Sequence, residues 1–201
     1  VEGSVVFEGQ DLVTLDDKAL QRVRGQRIAM VPQQPMTSLS PTTPIGRQMS
    51  RLPVDVKLAR MLIAAQHLGC LREVTVLAAF LGIQDPRERP SDARGAADAA
   101  HAQFADPNSE FVGVLKLWDA YRAAHEDLTQ SKLRSWCEKN FLGFLRMREW
   151  RELHRQLLLS CEELGWAIND QVAEYAPLHR ALIAGLPTQI GHRVEKGLYE
   201  A

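Results

Sequence analysis

Cysteine, membrane-length apolar runs and an excess of either charge are scarce in this 201-residue chain. Its three cysteines, Cys70, Cys137 and Cys161, are odd in number and widely spaced. That excludes a disulfide frame and a thiolate metal site, and fits reduced, buried thiols in a cytoplasmic protein. No apolar run approaches the roughly 20 residues of a membrane helix, since Gly82, Asp85 and Pro86 close the longest one, so no membrane partner is expected. The N-terminal VEGSVVFEGQ has no basic start followed by an apolar stretch, so no secretory signal is expected. Twenty-four Lys and Arg oppose 25 Asp and Glu, and a net charge of −1 steers the whole chain toward neither nucleic acid nor membrane.

Catalytic signatures are missing too. No glycine precedes a lysine, so no phosphate-cradling G-x-x-x-x-G-K-[ST] loop is present. His125-Glu126 lacks the second histidine of H-E-x-x-H, and there is no G-x-S-x-G elbow. The six histidines are scattered, without the spacing of a metal site. Neither covalent chemistry nor a cofactor of the chain's own is expected. What remains, 45% hydrophobic and 24% charged, is ordinary for a soluble globular protein.

The chain reads as mainly α, with a small α/β segment at its start. In residues 1–42, Val5-Val6-Phe7 forms a short strand closed by Glu8-Gly9, and Leu12 to Leu15 a second apolar stretch. Asp16 caps a short helix ending at Gly25, and Arg27 to Val31 reads as a buried strand running into Pro32-Gln33-Gln34-Pro35. From Thr43 onward the pattern is helical. Pro44 fits a first helical turn, and Asp55 caps a helix burying Leu58, Met61, Leu62 and Ala65. Leu71 to Leu81 is apolar nearly all round, and the prolines of Gln84–Pro90 enforce a loop. A helix is expected over 93–104, and another from Asn108 or Ser109 burying Phe111, Leu115, Trp118 and Tyr121. One long helical periodicity covers 131–164. A last helix spans about Glu174 to Gly185, and Arg193 to Tyr199 reads as a first strand.

The positive signal is a local concentration of base. Between Ser131 and Arg155, seven basic residues face three acidic ones, a balance of +4. Arg148, Arg151 and Arg155 recur at three and four residues and share one helix stripe. Such a stripe holds phosphates in a salt-dependent way. The plainer reading is a solvated face, with Arg148 and Glu152 as an i,i+4 pair. Arg87 and Arg89, in the proline-bounded loop, are a second contact or a pin holding the loop to the helices. The tryptophans and phenylalanines fall at helical spacing and read as core.

The segment LPVDVKLARMLIAAQHLGCLREVTVLAAFLGIQDPRERP, followed by FADPNSEFVGVLKLWDAY, FLGFLRMREWRELHRQL and AEYAPLHRALIAGL, resembles the helicase-associated region of bacterial DEAH-box RNA helicases of the HrpA type. The likeness runs from about Thr43 to the chain end. It implies a partial winged helix over 43–68, a helical ratchet-like domain over 69–191 and the start of a truncated OB-fold over 192–201. It also implies single-stranded RNA and the RecA-like motor domains of the same helicase as partners. ATP and Mg are cofactors of those motors, not of this chain. The RNA contacts implied are Arg87, Arg89, Arg146 and Arg148, with Arg151 and Arg155 behind them, holding phosphates without reading bases.

Residues 1–42 instead resemble the nucleotide-binding subunit of dipeptide and oligopeptide ABC importers, with Gln33 at the Q-loop position and Pro32 where that family usually carries an aromatic. The natural join lies at about residues 40–46, and a fused gene, a misassembled frame and an engineered junction all fit it. Three functions stay open: an auxiliary, non-motor region of an RNA helicase, a fragment of an importer ATPase subunit, and a helical protein-interaction module without RNA affinity.

Overall fold

A computed structural model describes residues 4–16, 19, 23, 44–186, 191–195 and 198–200. Gln33 and the expected strand at 27–31 lie outside the described residues. The chain divides into two compact units, Val1–Ser38 and Leu39–Ala201.

In the first unit, β1 (Val6–Phe7) pairs antiparallel with β2 (Gln10–Asp11), with Val6 opposite Asp11 and Phe7 opposite Gln10. The linking residues Glu8 and Gly9 both have positive φ, 50° and 81°, the conformation a two-residue hairpin loop needs. The expected apolar stretch at 12–15 is a 3-10 turn, Leu12–Thr14, and the Asp11 carboxylate accepts from the Val13 and Val5 N–H groups. Asp16 Oδ1 accepts from Ala19 N at 2.7 Å, the cap the sequence leads one to expect.

The second unit is helical: α1 (Pro44–Met49), α2 (Val56–Leu68), α3 (Leu71–Leu81), α4 (Arg94–Ala102), α5 (Glu110–Asp127), α6 (Gln130–Lys139), α7 (Phe144–Glu163) and α8 (Tyr175–Gly185). A hairpin of β3 (His192–Glu195) and β4 (Leu198–Glu200) follows, where the sequence suggested a single strand. The fold is mainly α, as expected from composition and periodicity.

Local chemistry sets the boundaries. Asp55 caps α2 by accepting from Leu58 N at 2.9 Å, and Gly69, at φ 66°, ends it in the left-handed region glycine favours. Ser109 caps α5. α3 is the central helix, packed on α2, α5, α7 and α8, which is why it is apolar on almost every side. α8 lies against α2 so closely that a Cβ on Gly185 would sit 2.3 Å from the Lys57 carbonyl oxygen. The buried Glu73 carboxylate joins α3 to the 169–173 loop, meeting Arg72, Asn169 and the Ala173 N–H. Burial pushes its pKa up, but these hydrogen bonds outweigh burial and hold it low.

Trp150 ties α7 into this core. It is fully buried, donates from Nε1 to the Val76 carbonyl at 2.9 Å, and lies 5.1 Å from the Phe80 ring and 4.9 Å from the Trp118 ring. The three cysteines are free and buried, and burial raises each thiol to about 11.

The periodicity over 131–164 does not form one helix. Asn140 to Gly143 break it into α6 and α7, with Phe141 in the left-handed region at φ 51°. The break is held from outside. Glu88 N donates to the Phe141 carbonyl and Gly143 N to the Pro86 carbonyl, both at 2.8 Å, around an antiparallel bridge of Arg87 with Leu142. The proline loop thus takes hydrogen bonds that a continuous helix would have used.

Candidate nucleic-acid interface

At about 100° per residue, Arg148, Arg151 and Arg155 fall within about 60° of one another on α7, and Arg146 faces the opposite way. The structure accordingly does not bring the six arginines of the sequence reading into one patch. It places Arg87 and Arg89 in one cleft, Arg148 and Arg151 in a second and Arg155 at a groove, with Arg146 lining none of the three.

The first cleft, about 440 Å³, lies between the proline loop, α4 and α5. Arg87 and Arg89 line it together with Asp98, Asp106 and Glu110. The Arg87 guanidinium holds both Asp85 oxygens, its Nη2 2.6 Å from Oδ2, and the same nitrogen is 2.8 Å from Glu110 Oε1. It also lies 5.6 Å from the centre of the Phe80 ring. Hydrogen bonding to Asp85, opposed by burial and reinforced by Glu110, raises Arg87 above the ordinary guanidinium range. Burial acts to raise the Asp85 carboxyl, but its contacts with Arg87 outweigh that and hold it low. Arg89 pairs with Asp98 at 2.9 Å, and Arg146 donates to the Asp85 backbone carbonyl at 3.1 Å. Every guanidinium here has an acceptor within the chain.

The second cleft, about 220 Å³, lies among the C-terminal half of α5, the start of α6 and the first half of α7. Tyr121, His125, Gln130, Phe144, Arg148 and Arg151 line it, with Leu128 and Leu133, and no carboxylate among the described residues does. Arg151 donates from Nη1 to His125 Nε2. Arg148 makes no ion pair or hydrogen bond with the described residues. The expected Arg148–Glu152 pair is absent, because Glu152 bonds Arg155 one turn on, Nη2 to Oε1 at 2.7 Å. Arg155 borders an apolar groove that includes Leu159, Trp166 and Ile168.

Tyr121 is 1% exposed, and its hydroxyl is buried without a hydrogen-bond partner among the described residues. Burial raises its pKa, while the charges of Arg151 and Arg148 pull the other way. Sequence reading missed Tyr121, His125, Gln130 and Phe144 as site residues. The i,i+4 spacings of Tyr121 with His125, and of Phe144 with Arg148, put each pair on one helix face. Nothing in the sequence shows that α5 and α7 turn those faces to one cleft. No group of three metal-ligating side chains occurs among the described residues, and no helix among them is long and apolar enough to cross a membrane.

Residues 55–143 match the family model of the helicase associated domain (HA2), ratchet-like. The chain is 43% identical over 149 residues to the ATP-dependent RNA helicase HrpA of Escherichia coli, and 40% identical over 149 residues to the HrpA homolog of Haemophilus influenzae. Each match takes in 74% of this chain, and 12% and 11% of the respective relative. It is also 26% identical over 173 residues to the pre-mRNA-splicing factor ATP-dependent RNA helicase DEAH10 of Arabidopsis thaliana, covering 79% of this chain and 23% of that protein. The chain therefore carries a helicase-associated region similar to that of DEAH-box RNA helicases, and spans about one-ninth of the length of its HrpA relatives. The likeness of residues 1–42 to an importer subunit finds no support in these matches.

Proposed function

We propose that this chain is an auxiliary, non-motor region of a cytoplasmic DEAH-box RNA helicase, and that it grips single-stranded RNA beside RecA-like motor domains. The observation that carries the reading is the carboxylate-free cleft of Arg148 and Arg151 in a chain with an HA2 match. Guanidiniums without an internal acid are available to backbone phosphates, and such contacts hold a strand of any sequence.

On this reading the six arginines divide their work. Arg148 and Arg151 hold phosphate directly, and Arg155, exposed and shared with Glu152, adds a weaker contact. Arg87, Arg89 and Arg146 fix the proline loop that borders the α6–α7 break, and meet the strand only at its margin. In the same scheme residues 43–68 are the later part of a winged helix, 69–191 the ratchet-like domain, and the β3–β4 hairpin the opening of an OB-fold.

The test is fluorescence anisotropy of a labelled single-stranded RNA titrated with the 201-residue chain at several salt concentrations. Two to three neutralised phosphates predict a slope of log affinity against log salt of about −1.5 to −2. Binding with no salt dependence, or none at low salt, contradicts the reading and leaves a helical protein-interaction module.

A further inference from the structure

The second cleft combines four features that one group would satisfy together. Arg148 and Arg151 converge on it from successive turns of α7, and no carboxylate lines it. The first turn of α6 opens at Gln130 under an N-cap, Thr129, that places no side-chain oxygen on its N–H groups. The Tyr121 hydroxyl is buried and unpaired, a state that costs about 1–3 kcal/mol unless a partner arrives. His125 Nε2 is the side-chain partner of Arg151, so that guanidinium reaches the cleft without a carboxylate beside it. The volume of about 220 Å³ admits one tetrahedral anion with its hydration.

We propose that this cleft is a binding pocket for a single phosphate group, with Arg148 and Arg151 as its clamp and Tyr121 as the hydrogen-bond donor at its floor. On binding, Arg151 exchanges His125 for a phosphate oxygen, and the movement opens the hydroxyl beneath. The proposal deepens the RNA reading of the same cleft and rests on it only for the source of the phosphate. A strand-terminal monoester, a backbone diester and free phosphate share the chemistry.

Calorimetric titration of the 201-residue chain with inorganic phosphate, against chloride at equal ionic strength, tests it. One saturable phosphate site is expected, about tenfold weaker in Arg148→Gln and weakened also in Tyr121→Phe. Removing an unpaired hydroxyl leaves stability unchanged or higher, so Tyr121→Phe separates loss of the site from loss of the fold. Arg60→Gln, on α2, leaves binding unaltered. Heats indistinguishable from chloride, or binding that survives both pocket variants, overturn the pocket whatever RNA does. A second arm compares 5′-phosphorylated and 5′-hydroxyl RNA with phosphate as competitor. Tighter binding of the 5′-phosphorylated strand assigns the strand end as source, and equal competed binding assigns the backbone; both support the pocket. Phosphate binding without competition against RNA keeps the pocket and overturns the RNA reading of this cleft.

Discussion

The two arginine clefts differ in where their charge goes. Around the proline loop, Arg87 is shared by Asp85 and Glu110, and Arg89 is held by Asp98. Those guanidiniums are acting as internal fasteners, and a phosphate would have to displace a carboxylate to reach them. Between α5 and α7, Arg148 and Arg151 face an imidazole, a glutamine and a buried phenol instead. The same residue type therefore builds structure in one cleft and leaves positive potential unspent in the other. A count of arginines does not distinguish the two. The local supply of carboxylates does.

The harshest way to break the comparison is to remove what both clefts share. Trp150 fixes α7 against α3, and α7 supplies Arg146 to the Asp85 carbonyl of the loop beside the first cleft and Arg148 with Arg151 to the second cleft. Trp150→Ala should cost about 3–5 kcal/mol, read by urea unfolding, and abolish both clefts together. The next effect is one of acidity. Burial, with the charge of Arg122 adding to it, lowers His154 to about 4 from 6.5, and its ring lies 4.7 Å from that of Trp118 on the α5–α7 seam. The unfolded chain takes up this proton near pH 6.5 and the folded chain only near 4. Stability is therefore full above 6.5 and falls as pH drops through that window, by about 2–3 kcal/mol. His154→Gln should flatten that part of the profile.

Arg87→Gln sharpens the contrast from the structural side. Its carboxylate partners Asp85 and Glu110 are 46% and 73% exposed, so the expected loss is only about 1 kcal/mol. Because Asp85 is held low in the fold, its contribution is present above the ordinary carboxylate range and lost as pH falls below it. The variant should lose that acid dependence as well. Arg155→Gln gives the smallest effect: a melting temperature unchanged from the parent, and a salt slope for RNA shallower by less than one.

Much of the fold was legible in the sequence because its signals are local. Asp55 and Ser109 act within one turn of themselves, and the apolar run from Leu71 to Leu81 announced a helix enclosed on most sides. The break at Asn140–Gly143 was not legible. Its cause is the proline loop about fifty residues earlier, which takes up the Phe141 carbonyl and the Gly143 N–H. The arginine stripe on α7 was visible as spacing, but its pairing was not. Whether Glu152 serves Arg148 or Arg155 is a choice of rotamer, and the side chains opposite Arg148 come from α5 and α6. The unpaired Tyr121 hydroxyl left no trace in the sequence, since a tyrosine at helical spacing reads as core whether or not its oxygen has a partner.

The most direct measurement sets the two clefts against each other in one RNA-binding assay. Arg148→Gln/Arg151→Gln and Arg87→Gln/Arg89→Gln are titrated into the same labelled single strand across a salt series. The first pair should weaken binding at least about tenfold and make the salt slope shallower by about 1.5, with little change in melting temperature. The second should lower the melting temperature and leave the slope near that of the parent. The reverse pattern, with RNA affinity lost in the proline-loop pair and kept in the α7 pair, would contradict the assignment of the grip to the carboxylate-free cleft.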